Sequence, residues 1–556
     1  MPPRPSATLP LLLLAAALAL GWNLGGYRFL DPDEGRNGEV AREMMVSNDY
    51  LVPHLDGLPY LDKPIVYFAA AAATMEVLGP TETAARLPAY LFTLATIVLV
   101  VRFARRRWEA EAGPDIGWFA GVALATMPLV MAYAHTTIFD STLAFCTTAA
   151  ILAFREDRPV LAWAAIGLGA ITKGPVAIGI PLFAMVPFAL ATGQPLRRLV
   201  TLPSLAVFAA VALPWFLAVS ARLPDFPHYV FVRETVQRVT TKSFHRTAPF
   251  WFYLPIILFG AFPWIVPALA GLGRWRDSWR ARTSDATARD SVFLACWVLG
   301  PLVFFTLNQS KLPQYVLPVM PALALAAARS IATRGVGLGW RIYATVAALL
   351  SLSLLTLMQW MPTAVRLTPA ERIAIPPTAL GLGGVLVLSA GLVWLAARRS
   401  LPVLGITGYA LCVMSIPVLS GRLMEAVGED RSAFALAGAV QTALPREGYV
   451  LGVSAYPPSL PFYLGHTVDV ATATGRELTS NWIADQQERF RTLPGSPLKP
   501  GDHWREVLAR CPQPTVFVTR TGDTAARETL AAGLALVAVE GRYAAYGPCR
   551  PAGQRP

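Results

Sequence analysis

Apolar residues run through most of this chain in long blocks, separated by short breaks that carry arginine, glycine or proline. A crossing helix needs about 20 mainly apolar residues, fewer where protein shields it, and on that basis the blocks predict about thirteen helices. They fall near residues 8–24, 84–104, 116–134, 140–154, 160–172, 174–191, 199–219, 250–271, 292–308, 312–331, 338–360, 376–397 and 401–419. The first follows a start containing Arg4 and has the outline of a signal peptide. It lacks a small-residue cleavage site and many spans follow, so it reads as an uncleaved helix. Beyond Ser420 the pattern changes. "YVLGVSAY", "TVDVATA", "TVFVTR" and "LALVAVEG" are short β-branched runs, separated by turn residues and by helix-like stretches such as Asp523 to Ala532. They predict a small α/β domain over 421–556, after a membrane domain over 1–420 whose first external loop is 25–83. No phosphate-binding loop, triad spacing, internal repeat or low-complexity segment stands out.

Composition agrees. Of 556 residues, 54% are hydrophobic and only 15% charged, with a mean hydropathy of +0.47. Those values lie outside the usual soluble range and define an α-helical polytopic membrane protein, with the lipid bilayer as its surroundings. The net charge of +12 would suggest nucleic acid if it were concentrated in one basic domain. The arginines are instead spread between apolar blocks, where they orient the chain, so no nucleic-acid partner is expected. Cys146, Cys296 and Cys412 lie in apolar blocks; Cys511 and Cys549 lie in the polar C-terminal part and can pair in an oxidising compartment.

Orientation turns on the apolar stretch Ile65 to Leu78. A full crossing there would put Arg102, Arg105, Arg106 and Arg107 on the same side as the acidic loop before it. If the stretch lies in the interface or dips and returns, all the arginine-rich loops share one side, which the positive-inside rule makes cytoplasmic. Segment 25–83, the loop at 135–139, the turns at Lys173 and at Ser310-Lys311, the loop at 220–249 and the chain after about Ser420 then face outward, away from the cytoplasm.

The acidic loop is "FLDPDEGRNGEVAREMM", with Asp31, Asp33, Glu34, Glu39 and Glu43 in a few turns of chain. Local architecture accounts for most of these acids. Asp31 suits an N-cap, Pro32 the first helical position and Glu34 a capping box. Val40, Ala41, Met44 and Met45 then face one way and Glu39, Arg42 and Glu43 the other, as on an interfacial helix. Asp33 is left without a local role. Asp31-x-Asp33 also has the form of the acidic motif that holds a metal and a nucleotide-sugar diphosphate, but an outward-facing site has no supply of nucleotide sugar.

From "PDEGRNGEVAREMMVSNDYLVPHLDGLPYLDKP" onward the sequence resembles the lipid-linked-sugar glycosyltransferases of the GT-C fold. The similar branch holds aminoarabinose lipid A transferases and bacterial protein-mannosyltransferase-like enzymes. The resemblance continues through "TTIFDSTLAF", "AITKGPVAIGIP", "HRTAPFWFYLP" and "SKLPQYVLPVMPAL", in the family's order. It implies an inverting glycosyltransferase that takes its sugar from undecaprenyl phosphate and delivers it to lipid A or another glycolipid or protein acceptor. By the same resemblance Asp33 and Asp140 are the catalytic acids, and Arg36, Tyr60, Lys63, Lys173, Lys311 and Tyr315 bind substrate. Some members hold a divalent ion between a glutamate and a histidine that fall on Asp62 and His245, a donor pair suited to zinc. The tyrosine that commonly follows the family's arginine is replaced here by Asn37-Gly38.

Those roles suit the chemistry. Breaking the bond between an anomeric carbon and a phosphate oxygen builds negative charge on the phosphate and oxocarbenium character on the sugar. Cations belong at one end of the site and a carboxylate at the other. Asp33 would act as general base toward an acceptor hydroxyl, or orient an acceptor that is already ionised. Bland readings stand beside these: Lys173 in "ITKGP" as a snorkelling lysine, Asp140 as a helix cap, Lys311 as a helix-end anchor. Two other functions fit the same chain: protein O-mannosyl transfer to Ser or Thr, and lipid or solute transport. Transport is disfavoured because no repeat relates the two halves and the polar groups gather on one face.

Overall fold

The computed structural model describes residues 6–237, 248–334, 337–364, 367–444 and 448–550. A helix or a bent pair of helices occupies every predicted span. Among the described residues, six helices are long and apolar enough to cross a membrane, and up to eight if each bent pair counts as one span. Several of the other predicted spans are bent or short among the described residues, and proline is one reason. The chain bends by 63° between Ile116–Ala125 and Pro128–Ala134, and by 109° between Tyr253–Gly260 and Ile265–Ala281, with Pro263 in the break. A proline cannot donate the amide that a continuing helix needs. Other blocks, including Thr8–Gly21, Pro159–Lys173 and Val176–Ala191, are shorter apolar helices.

Contacts divide the chain into two units: Met1–Asn23 with Pro88–Arg422, and Leu24–Leu87 with Leu423–Pro556. The loop expected to belong with the membrane helices thus groups with the C-terminal part.

Within the helical unit, one buried carboxylate ties three helices together. Asp290, in Ala286–Leu307, accepts from Arg107 Nε at 2.9 Å and Trp108 Nε1 at 2.7 Å in Glu82–Ala112. It also pairs with Arg155, the last residue of Asp140–Arg155. A charge so deep is tolerated because every oxygen has a cationic or N–H partner. The register of the helix that begins at Asp140 is thereby held at its far end.

The second unit is built on a six-stranded sheet. A hairpin of β1 (His54–Leu55) and β2 (Leu58–Pro59) comes first, its two-residue Asp56-Gly57 turn with positive φ at both positions, +56° and +77°. Glycine takes the second of these without a Cβ clash, as a mirror-image turn requires. The sheet comprises β3 (Tyr449–Val453), β4 (Asp469–Ala471), β5 (Leu498–Lys499), β6 (Thr515–Arg520), β7 (Leu536–Glu540) and β8 (Tyr543–Cys549), in the order β5-β4-β3-β6-β8-β7. Strands β5, β4, β3 and β6 are mutually parallel, and β8 pairs antiparallel with both β6 and β7. The four β-branched runs are β3, β4, β6 and β7. Strands β5 and β8, with "LK" and "YAAYGPC", carry weaker patterns and were not foreseen. Helix Thr524–Ala531 falls within the expected stretch, capped by Asp523.

Cys511 and Cys549 form a disulfide among Trp504, Val507, Phe517 and Tyr546. It closes a loop across 38 positions. Replacing both cysteines by serine is expected to cost this unit about 2–4 kcal/mol, seen as earlier cleavage of residues 423–556 in limited proteolysis, with the helical unit unchanged.

Candidate active site

The site residues fall in two sets, one in each unit. In the sheet-bearing unit, helix Asp33–Ser47 starts at Asp33 rather than at Pro32, and no side chain caps it. Asp31 is therefore not an N-cap. Its carboxyl turns to the C-terminal part, where Oδ2 accepts from Ser459 Oγ at 2.7 Å and Ser459 N at 3.3 Å. Glycine is required beside it, because a Cβ on Gly35 would meet Asp31 Oδ1 at 2.0 Å and Ser459 N at 2.7 Å.

Glu34 takes the back-bonding part of its expected role, accepting Leu30 N at 3.0 Å. Its larger function was not foreseen: a bidentate ion pair with Arg86, 2.9 and 3.0 Å, both side chains fully or nearly buried. Arg86 also donates to the carbonyls of Leu24 (2.7 Å), Tyr27 (2.9 Å) and Arg28 (3.2 Å). An isolated arginine at the start of the apolar block "AARLPAYLFTLATIVLVV" was the available signal, since such charges are rare and seek partners.

The polar face of the helix is covered by protein. Glu39, Arg42 and Glu43, expected on a solvated face, are buried. Arg42 pairs bidentately with Glu39 at 2.7 and 2.6 Å and donates to Gly465 O. Glu43 accepts the amides of Asp56 and Gly57, and Asp56 accepts Val468 N at 2.8 Å. The polar face is buried because the hairpin and the C-terminal part supply donors for it.

Asp33 stands apart from these acids. Its side chain is 50% exposed, and Oδ1 lies 2.5 Å from Arg36 Nη2, whose own side chain is 11% exposed. Arg36 Nη1 donates to Thr479 O at 3.2 Å and Thr479 Oγ1 at 3.0 Å. Tyr60 and Asp62 are within electrostatic reach of the same guanidinium. Tyr60 is buried, edge-on to Phe68. Both oxygens of Asp62 accept backbone amides, Asn481 N and Trp482 N, at 3.0 Å each. Lys63 Nζ bonds the carbonyl of Asp62.

The helical unit brings together the second set. Asp140, the first residue of its helix, is buried and forms an ion pair with Lys173, the last residue of Pro159–Lys173. Lys173 Nζ also lies 4.7 Å from the Tyr315 ring centroid and 5.1 Å from that of Phe139. The lysine is thus held by a carboxylate and two aromatic rings, which is more than an interfacial anchor has. Tyr315 packs on Phe305 at 5.3 Å. Lys311 donates to Asn308 O at 2.8 Å within its own turn, and so remains compatible with a local anchoring role.

The expected zinc pair fares differently. His245 lies outside the described residues, and the two oxygens of Asp62 are engaged by backbone amides. Among the described residues no group of three or more His, Cys, Asp or Glu side chains is arranged to hold a metal ion.

Comparison with known proteins places this architecture. ArnT from Cupriavidus metallidurans, in crystal structures with undecaprenyl phosphate bound and in the apo state, superposes with TM-scores of 0.82 and 0.80 at 26% identity, over 98% of this chain and 99% of that one. A family model described as dolichyl-phosphate-mannose-protein mannosyltransferase matches residues 62–221. The fold is the GT-C class of polytopic membrane glycosyltransferases. The undecaprenyl phosphate-α-4-amino-4-deoxy-L-arabinose arabinosyl transferase of Edwardsiella ictaluri is 31% identical over 454 residues, 78% of this chain and 79% of that protein. Within the GT-C class, the chain belongs to this arabinosyl transferase family. For several other relatives the match spans little more than half their length, as with transferase 2 of Proteus mirabilis, 33% identical over 58% of that protein.

Burial raises the Asp31 carboxyl to about 7, against the pull of the Ser459 hydrogen bonds. Burial likewise holds Glu43 and Asp56 well above the usual carboxylate range. Unfolded, Asp31 titrates near about 3.9, so between about pH 4 and 7 the native form keeps a proton that the unfolded chain has released. Stability therefore falls as pH rises through that window. Asp31→Asn keeps an acceptor for Ser459 and removes the charge. It is expected to flatten this dependence by on the order of 3 kcal/mol, measured as thermal unfolding of the purified protein between pH 4.5 and 8.

Proposed function

We propose that the protein transfers a sugar, of the aminoarabinose type, from undecaprenyl phosphate to lipid A or a related envelope acceptor at the periplasmic face of the inner membrane. The observation that carries this is the match, over nearly the whole chain, to a structure solved with undecaprenyl phosphate bound. The outward orientation is supported by the arginine-rich loops falling on one side and by the Cys511–Cys549 disulfide, which belongs in an oxidising compartment. Val66–Leu78 has 13 residues and spans about 20 Å, short of a hydrocarbon core of about 30 Å. That length agrees with the topology that places the site outside.

In the reaction, the bond between the anomeric carbon and the phosphate oxygen breaks, and its electrons leave with the phosphate. An acceptor oxygen attacks from the opposite face of the sugar, so the anomeric configuration inverts. Lys63, Lys173 and Arg36 are the cations assigned to the leaving phosphate. Asp33, half exposed beside a nearly buried Arg36, orients the acceptor. If that acceptor is a hydroxyl, Asp33 takes its proton; if it is an ionised phosphate, no proton moves. Asp140 sets the position of Lys173 through their ion pair.

A second reading, sugar transfer to a protein hydroxyl, draws on the mannosyltransferase model that matches residues 62–221. Purified protein given labelled undecaprenyl-phosphate aminoarabinose separates the two: label in lipid A supports the first reading, and label in protein the second. Asp33→Asn is expected to lower turnover at least about 100-fold while undecaprenyl phosphate still binds. Full transfer by a folded Asp33→Asn protein would remove this residue from the reaction.

A further inference from the structure

The C-terminal part of a membrane transferase is easily taken for a passive cover. Here one short stretch of it, Thr479 to Trp482, makes four polar contacts with the loop that carries the proposed site. Thr479 offers its carbonyl and hydroxyl oxygens to Arg36 at 3.2 and 3.0 Å. The amides of Asn481 and Trp482 each lie 3.0 Å from an oxygen of Asp62, the residue before Lys63. Thr479 has φ +55°, a conformation that costs a β-branched residue free energy and persists only where its surroundings enforce it. Ser480 caps the following turn by accepting Ile483 N at 3.2 Å, and Trp482 is buried. The stretch is therefore anchored behind its contacts.

We infer that Thr479–Trp482 is part of the donor site's working apparatus, with Thr479 a positioning residue that fixes the Arg36 guanidinium against Asp33. A long side chain with many rotamers must be held in one of them before it can serve a phosphate without an ordering cost at each binding event. Asp33 alone holds Nη2; Thr479 holds Nη1 from the other branch of the fork, so both rotation about the side chain and flipping of the guanidinium are blocked. Asp62, clamped between two amides, fixes in the same way the backbone from which Lys63 projects. The inference rests on the function proposed above, because it assigns these contacts to a polyprenyl-phosphate site. It also gives the C-terminal part a definite task, holding two of the site's cations.

The test is a binding cycle on the full-length protein in vesicles of phosphatidylethanolamine and phosphatidylglycerol, with undecaprenyl phosphate as probe and no sugar transfer required. Thr479→Val keeps the branched shape and removes one acceptor; Thr479→Ser keeps the acceptor. Expected is about tenfold weaker binding for Thr479→Val, near wild-type binding for Thr479→Ser, and an unchanged unfolding temperature in both. Combined with Arg36→Ala, Thr479→Val should add nothing further, since the two act through one contact. Additive losses, or weakened binding in Arg36→Ala with none in Thr479→Val, would overturn the positioning role and leave the function standing. Undecaprenyl phosphate that fails to bind the wild type, and is indifferent to Arg36→Ala, would overturn both.

Discussion

The sheet-bearing unit depends on one buried ion pair. Glu34 and Arg86 are almost wholly removed from water, and the arginine collects three backbone carbonyls besides. Unpaired, either charge would be untenable at that depth; together, with every polar atom engaged, they set where the chain between Leu24 and Glu34 runs. The consequence for chemistry is positional. Glu34 is fixed inward, while its neighbour Asp33, about 100° round the first turn, remains half exposed. The acidic cluster thus separates into carboxylates that build and one that stays accessible.

The two carboxylate–cation pairs differ in a way that suits different tasks. Asp33 is half exposed while its partner Arg36 is nearly buried, whereas Asp140 is buried and Lys173 nearly so. An accessible carboxylate can exchange a cation for an incoming acceptor at small desolvation cost. A buried pair cannot be parted cheaply, so Lys173, flanked by Phe139 and Tyr315, acts as a fixed positive charge instead.

Much of this was legible in the residues. Each apolar block corresponds to a helix or a bent pair, because lipid and protein interior impose the same requirement on side chains. Four of six strands showed as β-branched runs, and the family-like motifs singled out Asp33, Arg36, Asp140 and Lys173, which pair as two sets. What escaped were interactions whose partners are far apart in the chain. Nothing near Asp31 announces Ser459, nothing near Arg36 announces Thr479, and Glu39, Arg42 and Glu43 present the same spacing on a solvated helix as on a buried one. Helical periodicity tells which residues share a face; it is silent on what covers that face. Asp62 belongs with these, since nothing near it in the sequence announces the amides of Asn481 and Trp482 that hold its carboxylate.

The sheet-bearing unit is discontinuous, made of Leu24–Leu87 and Leu423–Pro556 with the intervening helices encoded between them. During synthesis the loop with Asp33 emerges early, yet the amides and hydroxyls that satisfy Asp31, Asp56, Arg36 and Asp62 arrive only with the last quarter of the chain. Until then several acids that end up buried must stay hydrated, and the arginine has no seat for half of its fork. Assembly of this surface therefore waits on completion of the chain. A chain that ends before residue 423 lacks all of those C-terminal partners.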